Sequence, residues 1–362
     1  MSGDPDEPSR LYFSQPGEPE NFPSENYMDV ERGDGLPISG INIMGNSIVI
    51  HKNNGTTLGS IFLLHTPDSL DITTTENWYL FKSPAAYSAC SHKSQAFFEN
   101  LLFYFNITGA YALTGEDLAR ASADSNIGRF QTESLSFDVD PDVQEFGTGA
   151  LGKIASITFD DKIWVAVPYQ STKNNRIYIY DFNRISESAG DAKIGVWARQ
   201  TGPGINNFIN HEGDIYGGSS TEGKVFKLVN GSSFDGTAFD SYYWTAPIYG
   251  AAEHKDNQKV FRYLYITHTT PGSWPLTVSW KTDFAQGTID STNMSMTGGG
   301  SEWGGMVWGT DEWGGGVTKK KSRVELTGAY GKWLQIQFDN TNLDQGFQIN
   351  DITIDYNLRS RR

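Results

Sequence analysis

The sequence predicts an all-β protein: a β-propeller of about five blades followed by a C-terminal β-sandwich. Three observations carry that prediction. A hairpin pattern recurs at near-constant spacing, the composition is one of strands and turns, and the pattern changes near Asn257.

The recurring stretch is clearest from Gly213 to Val229, GDIYGGSSTEGKVFKLV. An apolar strand at Ile215 and Tyr216, a turn through Thr221-Glu222-Gly223 and a return strand with Val225, Phe226 and Leu228 read as a β-hairpin. Earlier copies run from Asn46 to His65, Asn100 to Leu113 and Asp160 to Phe182, so that the starts at 46, 100, 160 and 213 are 54, 60 and 53 residues apart. A β-prone run precedes each copy: Pro37 to Met44, Ser94 to Phe98, Lys153 to Phe159 and Ile205 to Asn210. One small sheet cannot bury both of its faces alone, so a repeat of three or four short strands implies neighbouring sheets stacked on each other.

The 362 residues include 39 Gly, 17 Tyr, 21 Phe and 10 Trp, and long runs of Ala, Leu, Glu and Lys at helical spacing are missing. The net charge of −15 is lopsided, with 7 Lys/Arg against 21 Asp/Glu in residues 1–150 and 21 against 22 in the remainder. An acidic first half argues against conventional nucleic-acid binding, which needs a basic face, but not against a surface past which DNA slides. The single cysteine, Cys90, rules out an internal disulfide framework and reads as a small core residue. No apolar run approaches membrane-spanning length, and the polar, acidic MSGDPDEPSR is unlike a signal peptide, so a soluble chain made in the cytoplasm is expected.

In chain order, residues 1–10 read as a disordered arm and 11–250 as the propeller, with blade units at about 37–82, 88–115, 150–184 and 195–229. Leu11 to Ser14 and Tyr242 to Thr245 are expected to join in a composite blade made of the two ends. The segment GEDLARASADSNIGRF, residues 115–130, reads equally as a short rim helix or a loop. Residues 255–362 alternate apolar with polar as the strands of a sandwich, interrupted by a Gly-rich loop carrying Trp303, Trp308 and Trp313.

Candidate chemistry is sparse. Asp138-Val139-Asp140-Pro141-Asp142 lacks the glycine and the bidentate glutamate that a calcium loop requires, because Val143 and Gly149 stand at those positions. The six histidines show no metal-binding spacing, so no metal or cofactor is expected. Asp160, Asp161, Asp181 and Asp214 fall at strand edges, where turn formation accounts for them, and the chain is expected not to be an enzyme. Interface candidates are Trp303, Trp308 and Trp313, Lys319, Lys320 and Lys321, and Arg359, Arg361 and Arg362, whose charges could dock on the acidic half of a neighbouring copy.

Read in order, RLYFSQPGEPENF, LPISGINIMGNSIVIHK, AFFENLLFYFNITGAYALTG, RIYIYDFN, DIYGGSSTEGKVFKL and the closing GKWLQIQFDNTNLDQGFQINDITIDYNLRSRR resemble the β-propeller structural proteins of tailed-phage virions. The resemblance implies a tail or head-to-tail component, such as a hub, nozzle or DNA-retaining plug. It would form a homo-oligomeric ring with other tail and connector proteins around the DNA channel. No catalytic residue carries over. A receptor- or glycan-binding tail-fibre module with the three tryptophans as stacking platform is the alternative, and a propeller glycosidase is a third class.

Overall fold

The computed structural model is almost entirely β, with several sheets and no closed barrel among the described residues. It describes residues 2–45, 47–65, 78–83, 87–114, 131–186, 194–231, 233–269, 274–283, 289–296, 319–343 and 345–359. The chain divides into two compact units, Met1–Asn230 and Gly231–Arg362.

The first unit opens on a hairpin, β1 (Arg10–Tyr12) with β2 (Tyr27–Asp29). Four antiparallel meanders follow in chain order. They are β3 (Ile38–Met44), β4 (Ser47–Lys52), β5 (Ser60–His65) and β6 (Tyr79–Lys82); then β7 (Gln95–Phe98), β8 (Leu101–Asn106), β9 (Gly109–Thr114) and β10 (Gln131–Ser134). The third is β11 (Ala155–Phe159), β12 (Lys162–Val167), β13 (Arg176–Ser186) and β14 (Ile194–Thr201); the fourth is β15 (Ile205–His211), β16 (Asp214–Ser219) and β17 (Val225–Lys227).

A connection of two residues joins the first and second strand of every meander. Its first residue is Gly45, Glu99, Asp160 or Glu212, each in the left-handed region, with φ of 56°, 51°, 50° and 51° respectively. A two-residue hairpin whose twist matches its strands requires positive φ, and Asp161 at 53° and Gly213 at 84° supply it at the second position. Such a turn fixes the register, pairing Phe98 with Leu101, Phe159 with Lys162 and His211 with Asp214.

Register then decides the packing, because alternate side chains of each second strand enter different cores. Leu102 and Tyr104 of β8 pack with Val49, Ile61 and Leu63 of the first meander. Phe103 and Phe105, one residue out of phase, pack with Ile163, Val165 and Tyr178 of the third. Trp164 and Ala166 of β12 turn the other way, onto Ile205, Ile215 and Leu228 of the fourth. β8 and β12 are therefore apolar on both faces, and each fully buried Phe, Leu or Val contributes about 1.5–3 kcal/mol.

The second unit is two sheets over one core. β18 (Ser241–Trp244), β24 (Leu334–Asn340), β20 (Pro275–Thr282) and β21 (Asp290–Ser295) form one. β22 (Lys319–Glu325), β19 (Lys259–Thr269), β23 (Tyr330–Gly331) and β25 (Gln348–Leu358) form the other. Leu264, Ile266 and Val324 meet Leu276, Val278, Ile336 and Phe338 between them.

Four expectations are corrected. Of the expected disordered arm, residues 1–10, the described residues 2–10 are not disordered: Ser9 is buried, its hydroxyl donates to Leu36 O, and Arg10 Nε donates to Asp29 Oδ1 at 3.0 Å. The composite blade is absent, since β1 pairs with the nearby β2 and Tyr242 to Trp244 pair with Gln337 to Asp339 of β24. That pairing places residues 241–250 in the second unit, so the first ends at Asn230 rather than at 250. The stretch from Ile194 closes the third meander instead of opening the fourth, because it pairs with β13, the Trp197 ring packs against Tyr180 at 4.9 Å in a tilted contact, and its indole N–H reaches Leu135 O. Residues 115–130 lie outside the described residues.

Candidate functional site

The first strands of the second, third and fourth meanders run beside one another, β7 by β11 and β11 by β15. None of the four first strands contains Asp, Glu, Lys or Arg. Their exposed positions are neutral or apolar, with Ile43 71%, Phe97 37% and Ile209 60% exposed. The carboxylates weighed from sequence lie elsewhere. Asp160 and Asp161 form a turn, Asp214 Oδ2 accepts from Lys227 Nζ at 2.6 Å, and Asp181 Oδ1 accepts from the backbone of Asn183. Asp138 to Val143 forms two short helical turns in which Asp142 accepts from Tyr178 and Arg199, while Asp140 accepts from Ser136. Among the described residues no group of three His, Cys, Asp or Glu could hold a metal ion, and no helix is long and apolar enough to cross a membrane.

Lys319, Lys320 and Lys321 open β22, an edge strand of its sheet, and all three are exposed. Lysines on an edge discourage unwanted strand pairing, which is their structural role. Lys321 also lies over the Tyr265 ring at 5.2 Å and Arg323 over Tyr263 at 4.9 Å. A groove of about 740 Å³ opens between β22 and β21, the edge strand of the facing sheet, with Trp280 lining it from β20. Arg359 is exposed, and its backbone N–H donates to Gln258 O. Trp303, Trp308, Trp313, Arg361 and Arg362 lie outside the described residues.

Sequence reasoning missed the buried polar centres. Lys52 is fully buried, and its ammonium donates to Val30 O at 2.6 Å, Glu31 O at 2.9 Å, Ser9 Oγ at 3.1 Å and Asp34 Oδ1 at 2.7 Å. Lys259 repeats the device in the second unit, donating to the carbonyls of His254, Asn257 and Lys332, and burial lowers its pKa. His51 is buried beside Tyr104; its Nδ1 accepts from the Ala89 N–H at 3.0 Å, and burial, helped by His92, pushes its pKa down to about 3. The one signal in sequence is a Lys or His within a β-prone run.

Cys90 is buried with its thiol on Leu151 O, and burial pushes its pKa up to about 11. Thiolate is the reactive form, so Cys90 is expected to resist a thiol reagent in the native protein and to react fully in denaturant. Stoichiometric native labelling would contradict this placement.

No family model and no curated protein matches the chain. Among solved structures, it is similar to an exo-β-1,3-galactanase from Phanerochaete chrysosporium with β-1,3-galactotriose, at 10% identity and a TM-score of 0.18 over 96% of this chain and 99% of that one. The same enzyme with galactose gives 9% and 0.16, over 87% and 95%. The expectation that the chain is not an enzyme is corrected by these neighbours, which are glycosidases, and is withdrawn. At such TM-scores the likeness carries no activity or substrate over to this chain.

Proposed function

We propose that the chain is a structural component of a tailed-phage virion, in the tail or head-to-tail region, assembled as a homo-oligomeric ring around the DNA channel. In this reading the four meanders are blades of a propeller and the second unit is a β-sandwich. The observation that supports it is the order of parts: four like sheets stacked in sequence, then a separate two-sheet unit with a lysine-rich exposed edge, in a chain whose first 150 residues hold 7 Lys/Arg against 21 Asp/Glu. A ring needs two different patches that meet and close. Basic Lys319 to Lys321, with Arg359, Arg361 and Arg362, would meet the acidic first half of the next copy. Each exposed charge pair contributes only ~0–1 kcal/mol, so these pairs set orientation while apolar contact supplies affinity. Acidic surface toward the channel would repel phosphates and keep DNA moving during packaging and ejection.

Electron microscopy of particles carrying a labelled copy tests this. Label in a ring at the tail or the head-to-tail junction is expected. Infectious particles without the chain, or label on a peripheral fibre, would overturn the reading.

A further inference from the structure

The four meanders of the first unit form a stack whose two ends are finished differently. At one end the N-terminal hairpin closes the first meander, because Leu11, Met28 and Val30 pack with Ile50, Phe62 and Leu64. Strand alternation then turns Arg10, Tyr12, Tyr27 and Asp29 to the outside of that hairpin. Arg10 pairs with Asp29 there, and its guanidinium lies over the Tyr27 ring at 3.8 Å. Stacked repeats need such an end layer, since a terminal unit otherwise leaves one apolar face in water.

The fourth meander has no such layer among the described residues of the first unit. It gives one face to the third meander through Ile205, Ile215 and Leu228. Pairing puts Ile209, Tyr216 and Lys227 in one row of the opposite face and Asn207, Gly218 and Val225 in the next. On that side Ile209 is 60% exposed, Val225 71% and Val229, just past the strand, 65%. The edge is open as well. The first three meanders carry a fourth strand, whereas among the described residues nothing pairs with the free edge of β17. An unpaired edge beside an exposed apolar face is a template for another chain.

We infer that this open face takes the next copy of the chain, by the outer side of that copy's N-terminal hairpin. The inference rests on the ring reading and supplies the apolar contact that the ring requires. Register identifies the partner. Val49, Phe103 and Trp164 are the third residues of β4, β8 and β12, and each packs on the meander that follows its own. Tyr216 holds the same place in β16, so what belongs against it is the start of another stack. Charge agrees with a second copy. Chains of net charge −15 repel one another except where their charges are already matched. Lys227 is bonded to Asp214 at 2.6 Å on the open face, and Arg10 to Asp29 at 3.0 Å on the hairpin. The two surfaces differ, so their contact is heterologous, the kind that closes rings.

The test places single cysteines in the full chain: Val225→Cys on the open face, and on the hairpin Tyr27→Cys, with Phe22→Cys as a second exposed position should the first disturb folding. Cys90 does not interfere, being buried with its thiol on Leu151 O. In an equal mixture under glutathione disulfide, Val225→Cys is expected to link to a hairpin variant and neither variant to itself. Adding Ile209→Glu to the Val225→Cys chain should lower the yield about tenfold or more with an unchanged thermal transition, because Ile209 is exposed in the free chain. Val225→Cys chains linked to each other would overturn the inference in favour of a two-fold pair. No disulfide between chains, the result when the second unit or a different protein covers the face, overturns this contact and leaves the ring standing wherever label still forms one. Label outside a ring overturns the ring reading and this contact with it.

Discussion

Replacing Lys52 by methionine is expected to destabilise the first unit by about 3–5 kcal/mol, the usual consequence of removing one partner from a buried ionic cluster. Its ammonium is fully buried and holds four acceptors, three of them on the segment that leads from β2 to β3. Methionine fills much the same volume but leaves the carbonyls of Val30 and Glu31 unpaired and Asp34 without its counter-charge. Leu11 and Val30 of the N-terminal hairpin pack on Ile50 and Phe62 of the first meander, so the loss should appear first as faster hydrogen exchange in β1 and β2. Lys82 gives the contrast. Its pair with Glu31 at 2.7 Å is exposed, and Lys82→Ala should cost under ~1 kcal/mol. Equal and small effects of the two substitutions on urea unfolding and on exchange would show that burial does not set the value of the Lys52 contacts.

Much of the first unit was legible because its decisive features are local. Two-residue turns at Gly45, Glu99, Asp160 and Glu212 fix each first hairpin, and apolar second strands such as Lys162 to Val167 announce burial on both faces. Fourth strands were less legible: the unit at 37–82 reached β6, whereas those at 88–115 and 150–184 stopped short of β10 and β14. β6 and β10 are four residues each, and the long stretches 66–77 and 115–130 lie between them and the strands they pair with, so no short hairpin fixes their register. β1 illustrates a different failure. A three-residue strand has too little pattern to choose between a local partner and a distant one, and the choice is made by Arg10 on Asp29 and by the lysine beneath, contacts that span 19 to 22 residues.

The groove was half legible for a related reason. Lys320 stood out as part of a basic run, yet its place on the inner face depends on pairing with His268, which the sequence places far away. Edge position, not charge count, separates a solvated lysine from one that rims an opening. Lys319 and Lys321 alternate to the outer face by the period of the strand.

Acid should unfold the first unit through His51. The Ala89 N–H donates to its Nδ1, so the ring is held neutral, and protonation would set one donor against another inside a buried contact. The folded pKa is pushed down to about 3, from 6.5 for an ordinary histidine. Between those values the unfolded chain binds a proton that the folded chain does not, so stability falls as pH falls through that window and is fully present above about pH 6.5. From about pH 7 to about pH 4 the expected loss is roughly 3 kcal/mol from this one group. Carboxylates such as Asp34 add their own acid dependence, which is why the measurement is a comparison. His51→Gln should lower stability near neutral pH, where it disturbs the contact with Ala89 and Tyr104, and should flatten the decline toward pH 4 by about the same roughly 3 kcal/mol. Urea titrations of both proteins across that range decide it, and parallel curves would place the acid lability in the carboxylates instead.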